Sequence, residues 1–295
     1  MTELRLKDLT PHSLQALSPQ LRRAAQYVVE NPGEVATRSQ RSIARTTNLP
    51  APTFTRMARA VGYESYDALR ETCRAEVLGS RTHLAEMAQE LIEADDESSG
   101  IATRHAAAAI RNTEALFAGI DPGELDKAVE TLARARHVAL IGEMSAQPIV
   151  EYAHYLANMS LNGWIVPGRG GTGMANDLAD LGSDDACVLF SIKPYAARAI
   201  AIAGIVRAQN VRLIAVTDSP LSPVTAYARQ CFFIRTDSQH FFPSHVAAIV
   251  FFEAVVGMAA RKRGKESQER IAAIERQNHQ LERYWQDRPA TNEGG

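Results

Sequence analysis

The sequence has few cysteines and no long apolar run, and each absence excludes classes of protein. The 295 residues include three widely spaced cysteines, Cys73, Cys187 and Cys231. They fit neither a metal-ligand motif nor a complete set of disulfides, so they are expected to be small buried side chains. No apolar run reaches the length of a membrane span, and the first ten residues lack an apolar signal segment. We therefore expect a cytoplasmic protein with no metal and no cofactor.

Acidic residues are missing from one stretch, although the formal net charge of the whole chain is only −2. Between Glu34 and Glu64 there is no Asp or Glu. The same interval contains five arginines: Arg38, Arg41, Arg45, Arg56 and Arg59. A near-neutral average therefore hides a basic segment that suits an anionic partner such as nucleic acid.

This basic segment has the pattern of two short helices joined by a tight turn. The first helix is expected to end near Thr47, and Asn48 tolerates the left-handed backbone that a sharp turn needs. The second is expected to open at residues 50–53, where proline suits a first helical turn. Its inward face is predicted by helical spacing: Phe54, Met57, Ala58 and Val61.

A helix of small polar and basic residues, held at an angle by a short turn, has the shape that enters a DNA major groove. Arginines on the flanks would hold phosphates, while the start of the second helix would read base edges. We predict DNA contacts for six residues: Arg38, Arg41, Thr53, Thr55, Arg56 and Arg59. The alternative is a three-helix bundle with a solvated basic face.

From His137 the chain alternates short apolar runs with helical patterns. Five runs are predicted strands: HVALIG (137–142), GWIVPG (163–168), ACVLFSI (186–192), VRLIAVT (211–217) and CFFIR (231–235). The alternation predicts a doubly wound, parallel, five-stranded α/β sheet with helices on both faces. Ligands of such sheets bind beyond the carboxyl ends of the strands, which directs attention to the loops at 142–145, 191–195 and 217–220.

Both halves resemble one family of proteins. Residues 10–77, with a helix ending in ENP, the basic two-helix segment and VGYESYDALR, resemble the N-terminal domain of the RpiR/MurR family of bacterial transcriptional regulators. Residues 125–262, with ALIGEMS, VTDSPLSPVTAYA and SHVAAIVFFEAVV, resemble the SIS domain, the sugar-phosphate-binding fold of phosphosugar isomerases and RpiR-type regulators. The resemblance implies a homodimer or tetramer that binds a palindromic double-stranded DNA operator and senses a small effector.

The resemblance also shows where this chain departs from the family. Ser145 matches the serine that ends the first loop, and Ser191 matches the first serine of a phosphate-cradling Ser-x-Ser-Gly-x-Thr loop. Lys193, Pro194 and Ala196 stand where that loop has its second serine, glycine and threonine. Lys193, Tyr195 and Arg198 offer another way to bind an anion. We predict an acidic or phosphorylated sugar-type effector, held by Ser145, Ser191, Lys193, Tyr195, Arg198, Ser219 and His245.

Three alternatives remain for the second half of the chain. The pocket could serve only dimerisation, or the effector could be something other than a phosphosugar. An isomerase would need a general base, and no motif supports any of the candidates, Glu143, Glu151, His245 and Glu253. We therefore predict no enzyme and no catalytic residue. The glycine-rich loop at 168–173 lacks the Lys-Ser/Thr of a nucleotide-binding loop.

The predicted architecture is an N-terminal all-α helix-turn-helix bundle followed by the SIS-like α/β domain. Residues 1–79 are assigned to DNA binding, 80–124 to a helical linker, 125–262 to effector binding and dimerisation, and 263–295 to a C-terminal helix and tail. A hinge is expected at Ala94–Gly100, and residues 288–295 are expected to be disordered.

Overall fold

A computed structural model describes residues 17–78, 84–93, 98–171 and 173–285. Most of the hinge predicted for residues 94–100, and the whole tail predicted for 288–295, lie outside these described residues. Within them, no helix is long and apolar enough to cross a membrane.

A bundle of helices forms the N-terminal unit: α1 (Pro19–Glu30), α2 (Pro32–Thr37), α3 (Gln40–Thr47), α4 (Ala51–Ala60) and α5 (Tyr66–Leu78). The helix α2 begins at Pro32, within the ENP segment (30–32) that the sequence predicted would end the first helix. Pro32 is its first residue, a position where the missing N–H costs no hydrogen bond. The core contains Ile43, Phe54 and Met57, all completely buried.

The turn between α3 and α4 confirms the prediction made for Asn48, which adopts a left-handed conformation with φ of 52°. Ser39 caps the start of α3 by accepting a hydrogen bond from the N–H of Ser42 at 3.2 Å. Gln40 then donates its side-chain amide to the carbonyl of Ala51 at 2.7 Å and to the hydroxyl of Thr55 at 2.9 Å. These two bonds link α3 to α4 and set the angle between them.

From residue 84 onward, the described part of the chain contains eight α-helices and five strands: α6 (Leu84–Glu93), α7 (Ser98–Gly119), α8 (Pro122–Arg134), β1 (Val138–Gly142), α9 (Gln147–Ser160), β2 (Trp164–Ile165), α10 (Met174–Ala179), β3 (Ala186–Ser191), α11 (Ala197–Ala208), β4 (Arg212–Thr217), β5 (Gln230–Phe233), α12 (Val246–Arg263) and α13 (Lys265–Gln280). The five predicted strands are confirmed, and they pair in parallel in the order β2-β1-β3-β4-β5.

Two hydrophobic clusters cover the two faces of this sheet. Alternate strand residues such as Leu140, Val188 and Phe190 pack with α8, α9 and α12 on one face. The intervening residues, among them Ile141 and Leu189, pack with α10 and α11 on the other. Both faces are buried because side chains alternate along each strand. The order of strands reverses between β1 and β3, which leaves a crevice at their carboxyl ends.

The C-terminal helix predicted from about residue 262 is a separate element. Gly264 has a φ of 58° and lies between the end of α12 at Arg263 and the start of α13 at Lys265. Arg270 of α13 donates through Nε to the carbonyl of Asn158 at 2.9 Å. This bond holds α13 against the end of α9.

Asp185, at the start of β3, ties together the amino ends of β1 and β3. Its buried carboxylate accepts bonds from the guanidinium of Arg136 at 2.8 and 3.0 Å and from the N–H groups of His137 at 3.0 Å and Gly182 at 2.8 Å. Burial opposes ionisation, but these donors outweigh it and lower the pKa of Asp185 to about 2.

We expect Asp185→Ala to lower the free energy of unfolding by about 1–3 kcal/mol, since it leaves buried N–H groups without an acceptor. Asp184→Ala, which removes the neighbouring exposed carboxylate, should change stability little. Urea titration of both variants near pH 7 measures the difference. Equal losses would show that the carboxylate of Asp185 has no special structural role.

Candidate effector cavity and basic helical surface

The first loop at the carboxyl edge of the sheet follows β1 and turns sharply. Gly142 ends the strand at a point where an added Cβ would lie 2.6 Å from the carbonyl oxygen of Ala146, so no side chain fits. Met144 has a φ of 54° and begins a 3-10 turn that leads into α9. This turn places Glu143 and Ser145 at the end of the sheet.

The second loop follows β3 and is held by a carboxylate from β4. Asp218 accepts bonds from the N–H of Lys193 at 3.3 Å and from the hydroxyl of Tyr195 at 2.9 Å. Burial raises the pKa of Asp218, while the hydrogen bond of Tyr195 and the charge of Lys193 act in the opposite direction. The loops after β3 and β4 are therefore joined through one half-buried acid.

A cavity of about 110 Å³ lies between the first and second loops. Its walls are formed by Leu84, Glu143, Met144, Ser145, Ala146, Ser191, Ile192, Pro194, Ala196 and Phe242. The polar side chains among these are one carboxylate and two hydroxyls, and none is cationic. Leu84 comes from α6 and Phe242 from the segment between β5 and α12, so distant parts of the chain close the cavity.

The structure brings only two of the seven predicted ligand residues to the cavity wall, Ser145 and Ser191. The other five lie outside the wall: Lys193, Tyr195, Arg198, Ser219 and His245. The guanidinium of Arg198 forms an ion pair with Glu143 at 2.9 Å, and the hydroxyl of Ser219 accepts the N–H of Leu221 at 3.1 Å. Sequence patterns gave no signal for Leu84 and Phe242, because their position depends on long-range packing.

His245 precedes the first residue of α12 and packs its ring edge-on against Phe190, with the ring centroids 5.7 Å apart. Both ring nitrogens are buried and have no hydrogen-bond partner among the described residues. Burial lowers the pKa of His245, and the positive end of α12 also disfavours a charged ring. The side chain is therefore packed as a neutral ring within the fold.

The acids considered for an isomerase do not form a catalytic group with one another. Of the four candidates, only Glu143 lines the cavity. Glu253 accepts the hydroxyl of Tyr152 at 2.6 Å, and Glu151 accepts the amide of Gln147 at 3.2 Å. Within the described ranges, no cluster of three His, Cys, Asp or Glu residues could hold a metal ion.

A larger groove of about 260 Å³ lies near the amino ends of β4 and β5, away from the cavity. Its charged side chains include Glu124 and Lys127, which pair with each other at 2.8 Å. This end of a parallel sheet is opposite to the edge where ligands of such folds bind. The smaller cavity is therefore the candidate ligand site.

The N-terminal unit presents an exposed basic surface on α3 and α4. Arg41, Arg45, Arg56 and Arg59 are exposed, and we call these four the basic surface. Arg38 is exposed as well, but it pairs with Glu34 at 3.0 Å. Thr55 is half-buried and uses its hydroxyl to accept the bond from Gln40.

The prediction that Thr53 faces outward is wrong. Its exposed fraction is 0%, and its hydroxyl is buried without a hydrogen-bond partner among the described residues. Thr53 is the third residue of α4 and lies beside Phe54 on the inward face. Thr53 lies four residues before Met57, so helical spacing places both on the same buried face, and the predicted stripe should have included it.

We expect stability to fall as the pH drops below about 6.5, the ordinary pKa of histidine, towards the lowered folded pKa of His245. The unfolded chain binds a proton in this window that the folded protein does not. His245→Gln should reduce the change in the free energy of unfolding with pH by up to about 1.4 kcal/mol per pH unit. Urea titrations from pH 5 to 7.5 measure this pH dependence, and His279→Gln, at an exposed histidine of α13, is the control. An unchanged pH dependence in His245→Gln would contradict the lowered pKa of His245.

Comparison with known proteins identifies the second half of the chain. Residues 128–258 match the family described as SIS domain. None of the curated proteins matches the chain.

Solved structures share this fold at low sequence identity. The sugar isomerase domain of an RpiR transcription factor from Sphaerobacter thermophilus is 22% identical, with 61% of this chain and 99% of that chain covered and a TM-score of 0.52. A protein from E. coli CFT073 is 14% identical, with 61% and 100% covered and a TM-score of 0.50. The Vibrio vulnificus NanR protein complexed with ManNAc-6P is 18% identical, with 91% and 96% covered and a TM-score of 0.49.

At these identities the Sphaerobacter thermophilus and E. coli structures show the fold alone, in agreement with the parallel sheet of this chain. The family match identifies residues 128–258 as a SIS domain.

Proposed function

We propose that this protein is a DNA-binding transcriptional regulator whose SIS domain senses a small sugar-type metabolite. The observation that carries the proposal is a hydrophobic cluster shared between the basic N-terminal unit and the effector edge of the SIS domain. Leu221, three residues beyond Asp218, is 1% exposed and belongs to the same cluster as Ile43, Phe54 and Met57. The basic surface and the cavity are thus parts of one packed structure.

The basic surface has the composition and shape of a major-groove reader. Arg56 and Arg59 project from the helix after a tight turn, while Arg41 and Arg45 lie on the helix before it. No acidic residue lies between Glu34 and Glu64 to weaken the attraction for phosphates. We propose that a homodimer or tetramer presents two such surfaces to a palindromic operator.

The route from effector to DNA begins at the cavity wall. Leu84 of α6 lines the cavity, and α6 belongs to the predicted linker between the two units. On the other side, Leu221 follows β4 in a short turn closed by the bond from Ser222 N–H to the carbonyl of Ser219 at 3.0 Å. Leu221 does not line the cavity, but it holds the loop after β4 against the basic unit. A ligand that displaces Leu84 moves the linker helix between the two units. It shifts the equilibrium only by its difference in affinity for the two arrangements.

We expect Arg56→Ala to cost about 1–3 kcal/mol in binding to an operator selected in vitro, and to relax base preference at the contacted position. Arg41→Ala removes a proposed phosphate contact, so it should weaken specific and non-specific binding alike. It should also reduce the slope of the logarithm of the binding constant against the logarithm of salt concentration by about 1. Fluorescence anisotropy across salt concentrations measures both variants. Arg261→Ala, an exposed arginine on α12, is the control. Identical behaviour of Arg41→Ala and Arg56→Ala would remove the base-reading role of Arg56.

We expect Leu221→Ala to increase hydrogen exchange in α1, α3 and α4, because it removes a buried side chain from their cluster. Val224→Ala is the matched control, since Val224 is also completely buried but packs with the SIS helices and strands. It should increase exchange in α11 and β4 instead. Unchanged protection of α3 and α4 in Leu221→Ala would remove this route of coupling.

A further inference from the structure

The chemistry of the cavity indicates which class of effector it accepts, and this inference rests on the proposed function of the cavity as a sensor site. An anion such as phosphate needs backbone N–H donors, hydroxyls or cations directed at it. The loop between β3 and α11 is a natural place for such donors. There, however, the N–H of Lys193 is donated to Asp218, and Pro194 has no N–H.

Two carboxylates of the protein accept three of the donor groups at this edge. Asp218 also accepts the hydroxyl of Tyr195 at 2.9 Å. Glu143 pairs with the guanidinium of Arg198, which lies in the first turn of α11, at 2.9 Å. The side chain of Glu143 is 13% exposed, whereas that of Arg198 is 65% exposed. The acid therefore faces the cavity, and its cation lies on the solvent side.

Charge inside the cavity consequently disfavours a phosphate. Glu143 is the charged side chain of the wall, and the remaining polar side chains are the hydroxyls of Ser145 and Ser191. Arg198 offsets part of the charge of Glu143 from the solvent side. A second anion on the cavity side would still face the carboxylate, in surroundings where charges interact more strongly than in water. Hydroxyl or ammonium groups of a ligand would instead donate to the carboxylate.

Apolar groups complete the wall and restrict its size. Leu84, Ile192 and Phe242 present aliphatic or aromatic surface to the same space. The cavity of about 110 Å³ is smaller than typical ligand pockets of about 300–1,000 Å³, so binding must displace part of the wall. The other wall residues lie in β3 or in the segments that directly follow β1 and β3, whereas Leu84 and Phe242 come from α6 and from the segment before α12, so these two can move without shifting those strands.

We propose that the effector is an unphosphorylated polyol or amino sugar, neutral or cationic. Its hydroxyl or ammonium group donates to Glu143, its other oxygens bond to Ser145 and Ser191, and its carbon skeleton packs against Leu84 and Phe242. This reverses the charge expected from the sequence, because the cations at Lys193 and Arg198 lie outside the cavity wall and Arg198 is paired with Glu143.

The test uses the full-length protein and matched probes that differ only by a phosphate: glucosamine with glucosamine 6-phosphate, and glucitol with glucitol 6-phosphate. Binding is measured by isothermal titration calorimetry and by the shift in Tm, which rises with the concentration of a ligand specific for the folded state. We expect at least one unphosphorylated probe to bind more tightly than its phosphorylated partner. Tighter binding of the phosphorylated members, or no binding by any probe, overturns the proposed class.

Glu143→Gln keeps the shape of the side chain and removes its charge. It should weaken glucosamine binding by about tenfold or more, because a hydrogen bond to a charged group is lost. Glu269→Gln, at an exposed acid of α13, should leave binding unchanged. Ser145→Ala provides a second variant if Glu143→Gln is unstable, and unchanged glucosamine binding in both variants overturns the proposal. Operator binding is measured on the same samples. If the protein binds an operator but the ligand results contradict the proposed class, only the ligand class is wrong and the regulator function is still supported.

Discussion

The parallel pairing of β1 with β3 is the constraint on which the rest of this protein depends. Their register aligns Gly142 with Phe190, so both strands end at the same level and their loops diverge from a common crevice. Asp185 secures the opposite ends of the two strands through four donors. The cavity exists where it does because chains leaving adjacent parallel strands in opposite directions cannot fill the space between them.

Charge at this crevice is balanced internally. Asp218 accepts the N–H of Lys193 and the hydroxyl of Tyr195, and Arg198 offsets the charge of Glu143 from the solvent side. A carboxylate that is hydrogen-bonded or paired costs less to bury than an unpaired one, since burying an unsatisfied charge is expensive. These partners keep both acids at the carboxyl edge of the sheet, where Glu143 can accept a hydrogen bond from a ligand.

Two apolar side chains connect separate parts of the chain. Leu84 reaches the cavity from the linker helix α6, and Leu221 reaches the N-terminal cluster from the loop after β4. Tightly packed apolar contacts can transmit a displacement because the protein interior has little free volume to absorb it. The proposed coupling of sensing to DNA binding depends on these two side chains.

The sequence by itself determined the five strands, the turn at Asn48 and the inward stripe of α4, because period-two and period-3.6 patterns record which side of an element is buried. It also placed Ser145 and Ser191 at the carboxyl edge of the sheet. It misplaced Thr53, because the predicted stripe started at Phe54 and left out the residue four positions before Met57. Only the tertiary structure decided that Glu143 holds Arg198, that Lys193 lies outside the wall, and that Leu84 and Phe242 close the cavity. Those contacts join residues far apart in the chain, and no local periodicity encodes them.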